Sequence, residues 1–263
     1  MAILQSVGEE GVNDRVDVKV IQAALNLSQS DKFKLDKQLV VDGDIGSKTI
    51  LAIEAFQKNI VKLGNPDGRI DPDGRTLGTL KSNILEGLNQ DSLMAIMAMG
   101  RKSTIKLYLP LLNLSLPKYE INTPLRTAHF LAQIGHESLS FVYTQEVASG
   151  AAYEGRLDLG NTQPGDGVRF KGRGLIQLTG RDNYKKYGKF ISVDLLHSGN
   201  EQLIAEKPEY ALDVSLWFWN KRKLNDYADE DNLKAITRRI NGGYNGLEDR
   251  EHYLNRAKFF LVS

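Results

Sequence analysis

Thr123-Pro124-Leu125-Arg126-Thr127-Ala128-His129-Phe130-Leu131-Ala132-Gln133-Ile134-Gly135-His136-Glu137-Ser138 decides how this chain is read. Pro is tolerated at the first helical position and the Thr before it can accept from free N–H groups, so the spacing predicts a helix from Leu125 to about Ser140. On a 3.6-residue period Phe130, Ile134, Glu137 and Phe141 share a face, which sets a carboxyl in an apolar stripe. Burial disfavours the charged form of such a group, and Glu137 is therefore a candidate general acid. His136-Glu137 falls short of the zinc-protease pattern because position 140 is Ser. His129 and His136 share a face with Gln133 but lack an evident third ligand, so no metal is expected.

Glu146 lies nine residues beyond Glu137. In an unbroken helix the two would stand about 13.5 Å apart along the axis and on opposite faces, so they can cooperate only if the helix ends between them. A carboxylate facing the first across a cleft, roughly 6.5–9.5 Å away with room for water, is what an inverting glycosidase needs. The segment Leu159-Gly160-Asn161-Thr162-Gln163-Pro164-Gly165-Asp166-Gly167-Val168-Arg169-Phe170-Lys171-Gly172-Arg173-Gly174-Leu175-Ile176-Gln177-Leu178-Thr179-Gly180-Arg181-Asp182-Asn183-Tyr184 mixes glycines with amides, hydroxyls and aromatics. That suits a sugar cleft, although composition alone does not separate it from an ordinary long loop. Arg169, Lys171, Arg173, Arg181, Lys185, Lys186 and Lys189 make the stretch locally basic, either a face toward an anionic polymer or a solvated surface.

Toward the N-terminus three apolar stripes have helical spacing: Val18, Ile21 and Leu25; Ile53, Phe56 and Ile60; Leu77, Leu80, Ile84 and Leu88. Two similar turns separate them, Val41-Asp42-Gly43-Asp44-Ile45-Gly46-Ser47-Lys48-Thr49 and Pro66-Asp67-Gly68-Arg69-Ile70-Asp71-Pro72-Asp73-Gly74-Arg75-Thr76, and the Ser or Asp after each Asp-Gly pair can cap the following helix. Neither turn is a phosphate loop, since Ser47 separates Gly46 from Lys48, nor a calcium loop, which needs a Gly at its sixth position. After the polar stretch Glu86 to Gln90, Asp91 is expected to cap a helix that opens a second domain.

With 263 residues the chain has room for two domains, and 41% hydrophobic with 25% charged residues is a globular composition. There is no Cys, hence no disulfide, Cys-based zinc site or thiol nucleophile. A net charge of +1 gives no case for a nucleic-acid partner. No apolar run approaches the ~18 residues of a membrane span, and MAILQSVGEEG lacks the basic start of a signal peptide. Tyr253, Leu254, Ala257, Phe260 and Leu261 suggest a C-terminal amphipathic helix, expected to dock into the core rather than to disturb a membrane.

The Asp-Gly-x-Ile-Gly-x-x-Thr turn followed by Ala52-Ile53-Glu54-Ala55-Phe56-Gln57 resembles the peptidoglycan-binding domain of wall hydrolases, over roughly residues 12 to 85. Ala128 to Ser138, Gly172 to Tyr184 and Ile240-Asn241-Gly242-Gly243 resemble the signature blocks of glycoside hydrolase family 19, which contains chitinases and the lysozyme-like endolysins of phages. That resemblance implies Glu137 as general acid, Glu146 as general base and Thr179 as the residue that holds the attacking water. It implies Gln177, Asn183 and Asn241 as cleft residues and Arg250 as a basic support for the acid. Glu154 is the rival for the base. The missing cysteines and shorter loops point away from chitin and toward peptidoglycan.

The expectation is an all-α protein: a three-helix peptidoglycan-binding bundle over residues 1–87, then a lysozyme-like helical catalytic domain over 91–263. It would be a cofactor-free monomer with peptidoglycan as partner and neither nucleic acid nor stable membrane insertion. It would cut the β-1,4 MurNAc–GlcNAc bond with inversion as an endolysin. Without a signal peptide, it would wait in the host cytoplasm and reach the periplasm through a phage-made pore. A chitinase, a lytic transglycosylase and a non-catalytic wall-binding protein are the competing readings.

Overall fold

Asp14 starts the first helix, its carboxylate accepting from the N–H groups of Val16 and Asp17, and the computed structural model, which describes residues 1–28 and 30–263, carries on as a mostly helical chain. Helices α1 (Arg15–Asn26), α2 (Ser47–Phe56, continued by a wider turn over Gln57–Val61) and α3 (Arg75–Lys81) form the first part. Two-residue strands β1 (Val7–Gly8) and β2 (Arg69–Ile70) pair antiparallel beside them, Val7 opposite Ile70.

The two Asp-Gly turns are held in the same way. Gln22 Oε1 accepts from the N–H groups of Asp42 and Gly43, while its amide donates to Asp42 Oδ1 and Asp44 O. Gln57 repeats the pattern on Asp67, Gly68 and Arg69. A buried amide thus satisfies turn groups that would otherwise lose their water. The expected side-chain caps are absent: Gly46 and Gly74 occupy the N-cap positions of α2 and α3. The third stripe also breaks, since α3 ends at Lys81 and Ile84 bridges to Ser28.

Helix α4 (Gln90–Ile96) begins one residue before the expected cap. Asn89, not Asp91, accepts from the first-turn N–H groups and exchanges bonds with Ser92 in a capping box. Then follow α5 (Lys102–Ser115), α6 (Pro124–Glu137), a short α7 (Asp166–Arg169), α8 (Arg181–Ile191), α9 (Leu203–Glu206), α10 (Pro208–Lys221), α11 (Leu224–Asp229), α12 (Leu233–Asn241) and α13 (Leu247–Leu261).

One apolar core runs from Ile3 through α1, α4 and α6 to Leu261. Polar bonds cross between the first ninety residues and the rest: Lys19 to Ala98 O, Asn26 to Asp91, Lys81 to Val262 O and Gly87 N–H to Phe260 O. The C-terminal helix docks as expected, with Tyr253, Leu254, Ala257, Phe260 and Leu261 all buried. It lies against α6, where Gly135 permits the approach; a Cβ there would stand 2.6 Å from the Tyr253 ring. A second apolar cluster around Phe170, Tyr184, Tyr187 and Trp217 supports the 159–184 region.

Candidate active site

Thr123 caps α6 and Pro124 occupies its first turn, as their residue types require. The helix ends at Glu137, three residues earlier than the spacing suggests. Leu139, Ser140 and Phe141 then take left-handed φ values of 48°, 58° and 68° in succession. Such backbone costs of order 1–3 kcal/mol per residue and persists only where its surroundings hold it. Here Ser140 N–H donates to Gly135 O, Phe141 N–H to Ser138 Oγ, and Ser140 Oγ meets Tyr253 OH at 2.8 Å. Phe141 therefore lies beyond the helix, although it is buried against Tyr108. The reversal takes Glu146 off the α6 axis.

The apolar stripe is not the whole environment of Glu137. Arg250, 1% exposed and on the first turn of α13, donates from Nη2 to Glu137 Oε1 at 2.5 Å and from Nη1 to Gln133 Oε1 at 2.5 Å. Gln133 in turn faces Thr237 on α12, 3.4 Å away. The neighbouring residues form a second cross-link, His136 Nδ1 to Asp249 Oδ2 at 2.6 Å, and that contact holds the Asp249 carboxyl below its usual range. Gly246 closes over the imidazole, since a Cβ there would lie 2.2 Å from His136 Cε1.

Glu146 is held by a different set of groups. Its backbone pairs with Gly172, N–H to O at 2.9 Å, beside the bridge between Gln145 and Arg173, and Arg173 pairs onward with Leu178. Its carboxylate accepts from Gly172 N–H at 3.1 Å and Tyr153 OH at 3.0 Å. Burial first, and Glu146 second, push the Tyr153 phenol above its ordinary range. A Cβ at Gly172 would meet Gln177 Oε1 at 2.9 Å and Glu146 Oε2 at 3.2 Å, so a side chain there would displace these two polar ends.

Of the other residues singled out, Gln177 sits at the tip of the 173–178 turn with φ 56°, its amide on Gly174 O. Thr179 is half-buried, its hydroxyl donating to Gln177 O at 2.9 Å. Asn183, on the first turn of α8, donates to Thr179 O. The structure thus brings Gln177, Thr179 and Asn183 into one hydrogen-bonded group, sets the Glu146 carboxylate on Gly172 of the same loop, and joins Glu137, Gln133 and Arg250 in another group. Asn241 joins neither; it ends α12 on the surface. Glu154 spends both oxygens on backbone, accepting from Gly165 N–H at 2.7 Å and Gly167 N–H at 2.8 Å.

The basic run from 169 to 189 is not a single face. Arg173 is buried and donates to Arg169 O and Tyr184 OH, Arg181 pairs with buried Asp166 at 2.6 Å, and Lys171 donates to Glu146 O and Ala148 O. Sequence reasoning missed Tyr153, Gly172 and Gln133 as partners of the carboxylates. The available signal was the position of Gln133 one helical turn before Glu137.

Residues 124–235 match the glycoside hydrolase family 19 model described as chitinase class I, and this region is a family 19 domain. A glycosyl hydrolase family 19 domain-containing protein of Haemophilus influenzae is 29% identical over 157 residues, 48% of this chain and 75% of that protein. An endochitinase of Arabidopsis thaliana is 40% identical over 116 residues, 44% of this chain but 39% of its own length. The chain therefore spans about two fifths of the length of that endochitinase. Chitinase C of Streptomyces griseus, 21% identical, shares the fold with a TM-score of 0.55 over 67% of this chain and 93% of its own.

Proposed function

We propose that this chain, with its family 19 glycoside hydrolase domain, hydrolyses the β-1,4 MurNAc–GlcNAc linkage of bacterial peptidoglycan with inversion. The observation that carries the chemistry is the contrast between its two carboxylates. Glu137 is matched to a buried guanidinium, whereas Glu146 is matched to a phenol and a backbone amide on the far side of the 139–141 turn. Glu137 gives its proton to the leaving oxygen, and Arg250 stabilises the carboxylate left behind. Glu146 takes the proton of a water held by Thr179, and that water attacks the anomeric carbon from the opposite face. Glu154, fixed on the 165–167 backbone, is the poorer base.

The substrate assignment is supported by the first 87 residues and their resemblance to wall-binding domains. On this reading they anchor the enzyme on peptidoglycan, and the protein works as a cofactor-free monomeric endolysin. It is released from the host cytoplasm through a phage-made pore, without binding nucleic acid or inserting stably in a membrane. The relatives named as endochitinases favour a second reading, in which chitin is the substrate. Turnover of purified murein and of chitin oligomers, measured side by side, separates the two. Faster cleavage of murein supports the proposal, and cleavage of chitin alone defeats it.

A further inference from the structure

We propose that the recess on the outer side of α12 is an anion subsite that takes the free carboxylates of the peptide stems on a murein strand; this rests on peptidoglycan being the substrate. The recess, about 530 Å³, is lined by Tyr227, Asn232, Lys234, Arg238, Arg239 and Tyr244. Ile236 and Thr237 bury the opposite side of the same helix, so the cations project outward as a set.

Ordinary helix chemistry explains only part of this set. Arg238 and Arg239 in the last turn suit the negative end of the helix dipole, but Lys234 lies in the first turn, where a cation is disfavoured and no acid accompanies it. Lys234 and Arg238 are also a like-charged i,i+4 pair, which destabilises an isolated helix. Arg222 adds a fourth cation, stacked on Phe218 and donating to Arg239 O, and burial followed by the charge of Arg239 holds its guanidinium below its usual range. Among the described residues none of these four makes an ion pair, whereas the nearby acids Asp229 and Asp231 are taken by Arg126 and Lys258.

Concentrated positive charge without a counter-ion is relieved by an anionic ligand. Arg239 is already ordered for it, bonded to Tyr227 OH and stacked over that ring at 4.3 Å. Tyr244, 54% exposed, offers a second aromatic face. Asn241, the cleft residue expected from the resemblance, ends the same helix two residues after Arg239. Chitin has no such carboxylates, which makes the recess a point of discrimination between the two polymers.

The test compares wild type with the Lys234→Gln/Arg238→Gln double variant on intact murein and on murein whose stem carboxylates have been converted to neutral amides. The expected result is a KM on intact murein raised about tenfold with kcat unchanged, and no change on the amidated glycan; about 0.5 M salt should erase most of the difference. Both side chains are exposed, and the single variants give the same readout should the double variant not fold. Equal loss on the two glycans, or no change on either, overturns the subsite. Inorganic phosphate that inhibits wild type but not the variant, with KM equal on the two glycans, assigns the recess to another anion and also overturns it. A wild type that never cuts murein defeats the substrate assignment itself, and the subsite with it.

Discussion

Arg250 joins Glu137 to Gln133 across the α6–α13 interface, one amine group 2.5 Å from each side chain. The guanidinium is 1% exposed, so these two donors are met by the Glu137 and Gln133 oxygens and not by water. Removing either partner leaves the other buried without compensation, which typically costs about 3 kcal/mol or more. Arg250→Ala should lower the urea unfolding free energy by about that amount and abolish turnover. Glu137→Gln, close in shape and still an acceptor for Arg250, should remain folded with a lowered unfolding free energy and lose at least about 10²-fold in kcat. Retention of wild-type kcat by Glu137→Gln would remove it as the acid.

Glu146 and Glu154 are separated by what each holds. Glu146→Gln should lose at least about 10²-fold in kcat, and Tyr153→Phe about tenfold with KM kept, since it removes one hydrogen bond to the carboxylate. Glu154→Gln should keep turnover near wild type and lower the melting temperature, because it weakens the 165–167 turn. The reverse pattern in steady-state kinetics would make Glu154 the base.

The helix bearing Glu137 is legible because Thr-Pro and the apolar period both declare it. The reversal after it is not, because Leu139, Ser140 and Phe141 adopt left-handed backbone without a glycine among them, held by contacts to Gly135 and Tyr253 that no local rule contains. Arg250 was placed only by resemblance, since its partner lies 113 positions away. The Asp-Gly turns were visible, but the buried amides of Gln22 and Gln57 that fix them were not. Strands of two residues leave no periodicity to read.

The loop that carries Gly172 and Thr179 is pinned by Asp166, whose carboxyl the Arg181 guanidinium holds below the usual range. A group whose folded value is lowered contributes stability that is complete above the unfolded value, near pH 4, and is lost as the pH falls through the lower folded value. The melting temperature of wild type should therefore exceed that of Asp166→Asn at neutral pH, and the gap should close on acidification below about pH 4. A gap independent of pH would contradict the ion pair.

Gly246 has φ 71° and lies close beside the His136 ring. Gly246→Ala places a Cβ 2.2 Å from His136 Cε1, so either the ring or the start of α13 must move. Thermal melts should show a loss of about 1–3 kcal/mol, and kcat should fall with it because Arg250 shares that turn. Unchanged stability would show that the α6–α13 contact is looser than described.

The most direct test is mass spectrometry of the soluble products from purified murein digested by wild type, Glu137→Gln and Glu146→Gln. The two-carboxylate account predicts reducing MurNAc ends with wild type and none above background with either variant. Anhydro ends, or reducing ends that survive both substitutions, would contradict it.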